Sequence, residues 1–207
     1  MSFLRRKPKR VAHTTSFGAA MPTEQNTPTV PPGTRDITFA APKSVSALMA
    51  LLPPEDHRLG AVIAGHEAAL ADTLSWLDEE AAFARSEPAK LDCRGLNTTV
   101  VLHFSSANQQ PHIHTHVLVG PTVTGVDGRT YPVDWDTLDQ ALVAALPLYM
   151  AVLRHNLVES LTVTWARDHH ESKWQIAGIP DALLAQWPDT SCAFPAIPQT
   201  LAAARPR

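Results

Sequence analysis

The stretch Pro111-His112-Ile113-His114-Thr115-His116-Val117-Leu118-Val119 decides the reading of this chain. It is rich in β-formers, and on a strand alternate side chains share a face. His112, His114 and His116 therefore project together, while Ile113, Thr115, Val117 and Val119 take the face that a core can cover. Three imidazoles side by side are poor surface design but good design for a metal site or for proton transfer. A fourth histidine, His103, belongs to a second strand-like run, Thr98-Thr99-Val100-Val101-Leu102-His103-Phe104, and lies eleven residues before His114.

Upstream, Asp36-Ile37-Thr38-Phe39-Ala40-Ala41 reads as another strand. Pro42-Lys43-Ser44 opens a helix to about Leu52, and Pro53-Pro54 stops it. A second helix runs from Pro54 to about Arg85, with Leu59, Val62, Ile63, Leu70, Leu74, Leu77 and Phe83 at helical spacing. Gly125-Val126-Asp127-Gly128 is a turn. A long helix over about 135–159 contains Pro147 as a kink. Leu161 to Ile176 reads as a hairpin turning at Asp168-His169-His170-Glu171, and Pro180 to Trp187 as a short helix. The order predicts an α+β fold, an antiparallel sheet of about five strands with helices packed on one face. Residues 1–33 read as a basic, Pro-rich disordered tail, 34–188 as the domain, and 189–207 as a Pro-rich tail.

The 207 residues suffice for one domain with a real core. Net charge is −3, yet residues 5–10 carry five positive charges, leaving −8 on the rest. The body of the chain therefore lacks the basic footprint of a tight duplex binder. The cysteines, Cys93 and Cys192, make neither a disulfide framework nor a thiolate zinc site. No apolar run approaches a membrane span, and the N-terminus lacks the apolar core of a secretory signal. The cytoplasm is the default, with no membrane partner.

Two chemistries fit the histidines. If the runs holding His103 and His114/His116 pair, three imidazoles converge on one ion and leave positions open for water or substrate. The all-nitrogen set suits zinc, manganese, nickel or copper better than calcium. Alternatively, residues 112–118 resemble the histidine triad of nucleotide hydrolases and transferases, in which the middle histidine, here His114, attacks a phosphate. That reading gives His103 no role.

Two segments together resemble the TrwC-type relaxases of conjugative plasmids, within the HUH endonuclease superfamily. Asp36 through Leu48 is similar to the family's Asp-Leu-Thr-Phe-Ser-Ala-Pro-Lys-Ser-Val-Ser block, and His103 through His116 to its His…Pro-x-Leu-His-Thr-His block. Gly128 to Asp134, Leu148 to Arg154, Val163 to Trp165 and Gly178 to Pro180 add weaker similarity. The resemblance implies an HUH relaxase-like sandwich that binds single-stranded DNA at a transfer origin, with other conjugation proteins as further partners. It implies a divalent ion (Mg, Mn or Zn) held by His103, His114 and His116, with His112 outside the ligand set. Asp36 takes the position of a catalytic aspartate that accepts a proton or orients a metal-binding histidine. Lys43 is the expected DNA contact at a helix N-terminus. The family's nucleophilic tyrosine lies near the N-terminus, whereas this sequence has only Tyr131 and Tyr149, and Ala107 stands where the family pattern has arginine. Tyr149 falls in the long helix and reads as core. The expectation is a truncated relaxase-like domain whose metal site is intact and whose strand nicking is impaired or lost.

Overall fold

The histidine stretch forms the central strand of the main sheet. In a computed structural model that describes residues 32–84, 91–167 and 173–186, β1 (Arg35–Ala40), β4 (Thr98–Ser105) and β5 (Pro111–Val119) form an antiparallel sheet in the order β1-β5-β4. On one face β5 presents Ile113, Thr115 and Val117, all buried, with Ile37 and Phe39 from β1 beside them. Residues paired across strands share a face. The register His103↔His114, Val101↔His116 and Thr38↔His116 therefore gathers the histidines on the other face.

Helices cover the apolar face. The first, α1 (Lys43–Leu51), follows Ala41-Pro42, whose extended Pro42 (φ −54, ψ 150) ends β1 and precedes the first helical turn. Next comes α2 (His57–Glu80), whose N-cap Asp56 accepts from the Arg58 N–H. The longest, α3 (Trp135–Leu161), starts at Asp134, whose carboxylate accepts from the Thr137 hydroxyl at 2.8 Å, and ends at Thr162 in the left-handed region (φ 55). The α2 and α3 backbones approach closely at Gly65, where an added Cβ would meet Leu157 Cδ2 at 2.9 Å. The core between sheet and helices holds Phe39, Val45, Val62, Leu77, Ile113, Leu138, Tyr149, Leu153 and Leu157. Truncating a wholly buried phenylalanine such as Phe39 to alanine costs about 3–5 kcal/mol.

The α+β class and, among the described residues, the one-sided helical layer match the sequence reading. The sheet is smaller than the five strands expected, with three strands among the described residues. The two strands of the last hairpin, β8 (Trp165–Arg167) and β9 (Trp174–Ile176), pair only with each other. The predicted turn at 125–128 does connect a hairpin, β6 (Thr122–Thr124) and β7 (Thr130–Pro132), and β2 (Phe83–Ala84) pairs with β3 (Leu91–Asp92). These strands of two or three residues are too short to show alternation. The short helix near Pro180 is α4 (Asp181–Leu184). The expected tails up to residue 31 and over 189–207, and the turn at 168–171, lie outside the described residues.

One expectation is corrected. By length and composition α3 is apolar enough to cross a membrane. In this fold its stripe Leu138, Leu142, Ala145, Tyr149, Leu153 and Leu157 is buried and packs with α2 in the core.

Candidate metal centre

His103 from β4 and His114 and His116 from β5 come together on the outer face of the sheet. Their potential ligand nitrogens all lie within 4.8 Å of one another. Ring centroids stand 5.2 Å apart for His103–His114, 5.1 Å for His103–His116 and 5.0 Å for His114–His116, each pair edge to face. Three points at such spacing always admit a centre within about 2.8 Å of each, and a zinc–imidazole bond is about 2.0–2.1 Å. Side-chain adjustments below an ångström close that gap, so the residues present fit a cation.

Hydrogen bonds set the tautomers that coordination needs. His114 Nδ1 lies 2.9 Å from the His112 carbonyl, which can only accept, so Nδ1 donates and Nε2 carries the lone pair. His116 Nδ1 lies 2.8 and 3.0 Å from the two Asp36 carboxylate oxygens, which makes it a donor too and leaves Nε2 for an ion. Thr38 Oγ1 stands 3.2 Å from the same nitrogen. A carboxylate behind a ligating imidazole fixes its orientation and raises its basicity.

Electrostatics point the same way. Burial holds the His114 ring well below its ordinary value, at about 4; the bond to the His112 carbonyl opposes this, and the neighbouring imidazoles lower it further. His112 is also lowered, by burial first and then by His116. Nitrogens that refuse protons at neutral pH remain available to a metal. His112 stacks on His114 with centroids 4.5 Å apart but stands outside the convergent trio.

Asp36 sits on β1 beside His116, half exposed. Lys43 is the first residue of α1, half buried. The serines after it bind backbone: Ser46 Oγ accepts from the Ile113 N–H at 3.1 Å, and Ser44 Oγ accepts from the Ile176 N–H at 2.8 Å. Tyr149 is wholly buried on the opposite side of the sheet, as expected. Tyr131 donates its hydroxyl to Asp127 at 2.7 Å within the β6–β7 hairpin. Sequence reading missed His66, a fully buried α2 residue that bonds Thr115 and Tyr149. The signal was there: His66 falls in helical register with Val62 and Leu70, a polar residue on an apolar stripe.

Fold and site define an α+β domain with a candidate three-histidine cation site on the sheet face opposite its helices, among the described residues. The family model described as TrwC relaxase matches residues 9–189, and the chain belongs to that family. Comparison with curated proteins gives no match. Solved structures of similar fold include the conjugative relaxase TrwC in complex with oriT DNA in a copper-bound form (TM-score 0.61, 26% identity, covering 72% of this chain and 50% of that one). A metal-free TrwC–oriT complex matches with TM-score 0.62 and 27% identity, over 72% of this chain and 52% of that one. TrwC bound to a 27-mer comprising the recognition hairpin and the cleavage site gives TM-score 0.60 and 27% identity, with the same coverage. The chain thus spans about half the length of the solved TrwC chains it matches. Family membership displaces the nucleotide-hydrolase alternative, which left His103 unused.

Proposed function

We propose that this domain binds a divalent cation through His103, His114 and His116 and, beside it, single-stranded DNA at a conjugative transfer origin. The convergence of three imidazole nitrogens within 4.8 Å carries the reading. When bound, such an ion supplies Lewis-acid charge to a phosphate oxygen. Asp36 accepts from His116 Nδ1 and so leaves Nε2 for the ion, and Lys43 adds a cation at the N-terminus of α1, where the helix dipole also favours phosphate. Magnesium, manganese and zinc are the ions we assign, with the nitrogen donors favouring the last two. Residence in the cytoplasm and contact with other conjugation proteins belong to the same reading.

Strand cleavage by a relaxase needs a nucleophile at the phosphate. Tyr149 has its hydroxyl in the core against His66, and Tyr131 has its own against Asp127. We therefore assign metal and DNA binding to the described residues, with nicking impaired. The test uses a 27-mer with a recognition hairpin and cleavage site, of the kind bound by TrwC. In Mn²⁺ the protein should bind it more tightly than in chelator, and His103→Ala should remove that difference. A covalent protein–DNA adduct on a denaturing gel would overturn the impairment. Equal DNA affinity with and without metal, in wild type and His103→Ala alike, would overturn the role of the trio.

A further inference from the structure

Behind the ligand strand runs a chain of polar groups that cation binding does not itself require. His66 on α2 has Nε2 2.7 Å from Thr115 Oγ1 and Nδ1 2.7 Å from the Tyr149 hydroxyl. All three residues are buried, with exposures of 0 to 1%. Burial holds the His66 ring down to about 4, so it is neutral, and one nitrogen donates while the other accepts. Tyr149 also meets both His66 and Phe39 edge to face, at 5.6 and 5.5 Å, and Phe39 is the β1 residue paired with Thr115.

Filling the core alone does not call for this arrangement. Apolar side chains of the same volume would bury without desolvating three polar groups. Apolar contact is non-directional, whereas a hydrogen bond constrains distance and angle together. The chain Tyr149–His66–Thr115 links α3, α2 and β5, and it ends on the residue between His114 and His116. We propose that His66 is a positioning residue for the cation site: through Thr115 it holds the β5 backbone where the His114 and His116 rings converge. This rests on the cation reading above.

The test compares Thr115→Val, which keeps shape and loses the hydroxyl, with Thr115→Ser, which keeps the hydroxyl. Co²⁺ serves as the probe, by calorimetry and by its visible absorption. Thr115→Val should weaken Co²⁺ binding about tenfold and alter the ligand-field bands, and Thr115→Ser should restore both. Tyr149→Phe leaves β5 unchanged and removes only the far hydroxyl; a loss of the same sign, about threefold, is expected and covers a Thr115→Val protein that does not fold. Wild-type affinity and spectra in both Thr115→Val and Tyr149→Phe would overturn the proposal. Should the wild type take up no Co²⁺, the cation reading fails by itself. The positioning role is then decided in metal-free protein by imidazole ¹H–¹⁵N spectra. Split or broadened His114 and His116 signals in Thr115→Val, sharpened again in Thr115→Ser, support it, and unchanged signals overturn it.

Discussion

Asp36 makes its contribution through one contact, the carboxylate on His116 Nδ1. Asp36→Asn keeps an acceptor of the same shape and removes the charge that raises imidazole basicity. The expected outcome is a loss of about 10–100-fold in Mn²⁺ or Zn²⁺ affinity by calorimetry, with thermal stability in chelator nearly unchanged because the pair is partly exposed. The histidines lowered by burial, His66, His112 and His114, carry the pH dependence. His114 and His66 are held down to about 4 in the fold, and burial is the main cause for each. In the unfolded chain they titrate near 6.5, so between about pH 6.5 and 4 the unfolded state binds protons that the fold refuses. Stability from this source is full above 6.5 and is lost as pH falls toward 4, by up to about 1.4 kcal/mol per pH unit for each group. Urea midpoints measured in chelator should fall across that window, and His66→Gln should flatten the slope. The alternation 112, 114, 116 was legible in the sequence because strand geometry alone dictates it. The place of His66 on the apolar stripe of α2 is legible in the same way, but its bonds are not, because its partners stand 49 and 83 residues away.

At the scale of elements, the identity of the three long strands can be read from the sequence and their register cannot. A slip of one residue between β4 and β5 would turn His103 to the opposite face. The register that prevents this comes from an irregularity between His103 and Ser105 and from the turn closed by Ser106 and Gln110, with Gln109 at φ 59. No Asn-Gly or Gly-Gly signal marks that turn, so the sequence supports the convergence of His103 with His114 and His116 only through the family resemblance, and the register His103↔His114 is a structural finding. In the block Pro42-Lys43-Ser44-Val45-Ser46 the lysine stands out in the sequence, yet the serines make the structural contacts. Ser46 Oγ satisfies the Ile113 N–H, at the edge where β5 meets α1. Ser46→Ala leaves that buried donor unpaired at a cost of about 1–3 kcal/mol. The expected readout is a lower urea midpoint with unchanged slope, together with faster amide exchange at Ile113.

For the whole molecule, a cation that bridges β4 and β5 is a cross-link that only the folded state provides, since residues 103 and 114–116 converge nowhere in an unfolded chain. Ligand that binds the native state alone stabilises it by about 2.7 kcal/mol at a hundred times the dissociation constant. In a domain of this size each kcal/mol raises the melting temperature by about 2–4 °C. Saturating Mn²⁺ or Zn²⁺ should therefore raise the transition by roughly 5–10 °C over chelator. His103→Ala should abolish the rise, although His103 is the ligand contributed by a different strand, because two remaining imidazoles hold an ion far less well than three. His112→Ala should preserve it, because His112 stacks on His114 from outside the trio. Differential scanning calorimetry of the three proteins, each in metal and in chelator, makes the comparison. A rise in His103→Ala equal to the wild-type rise would place the ion on residues other than the trio, and the cation bridge between β4 and β5 would then be abandoned.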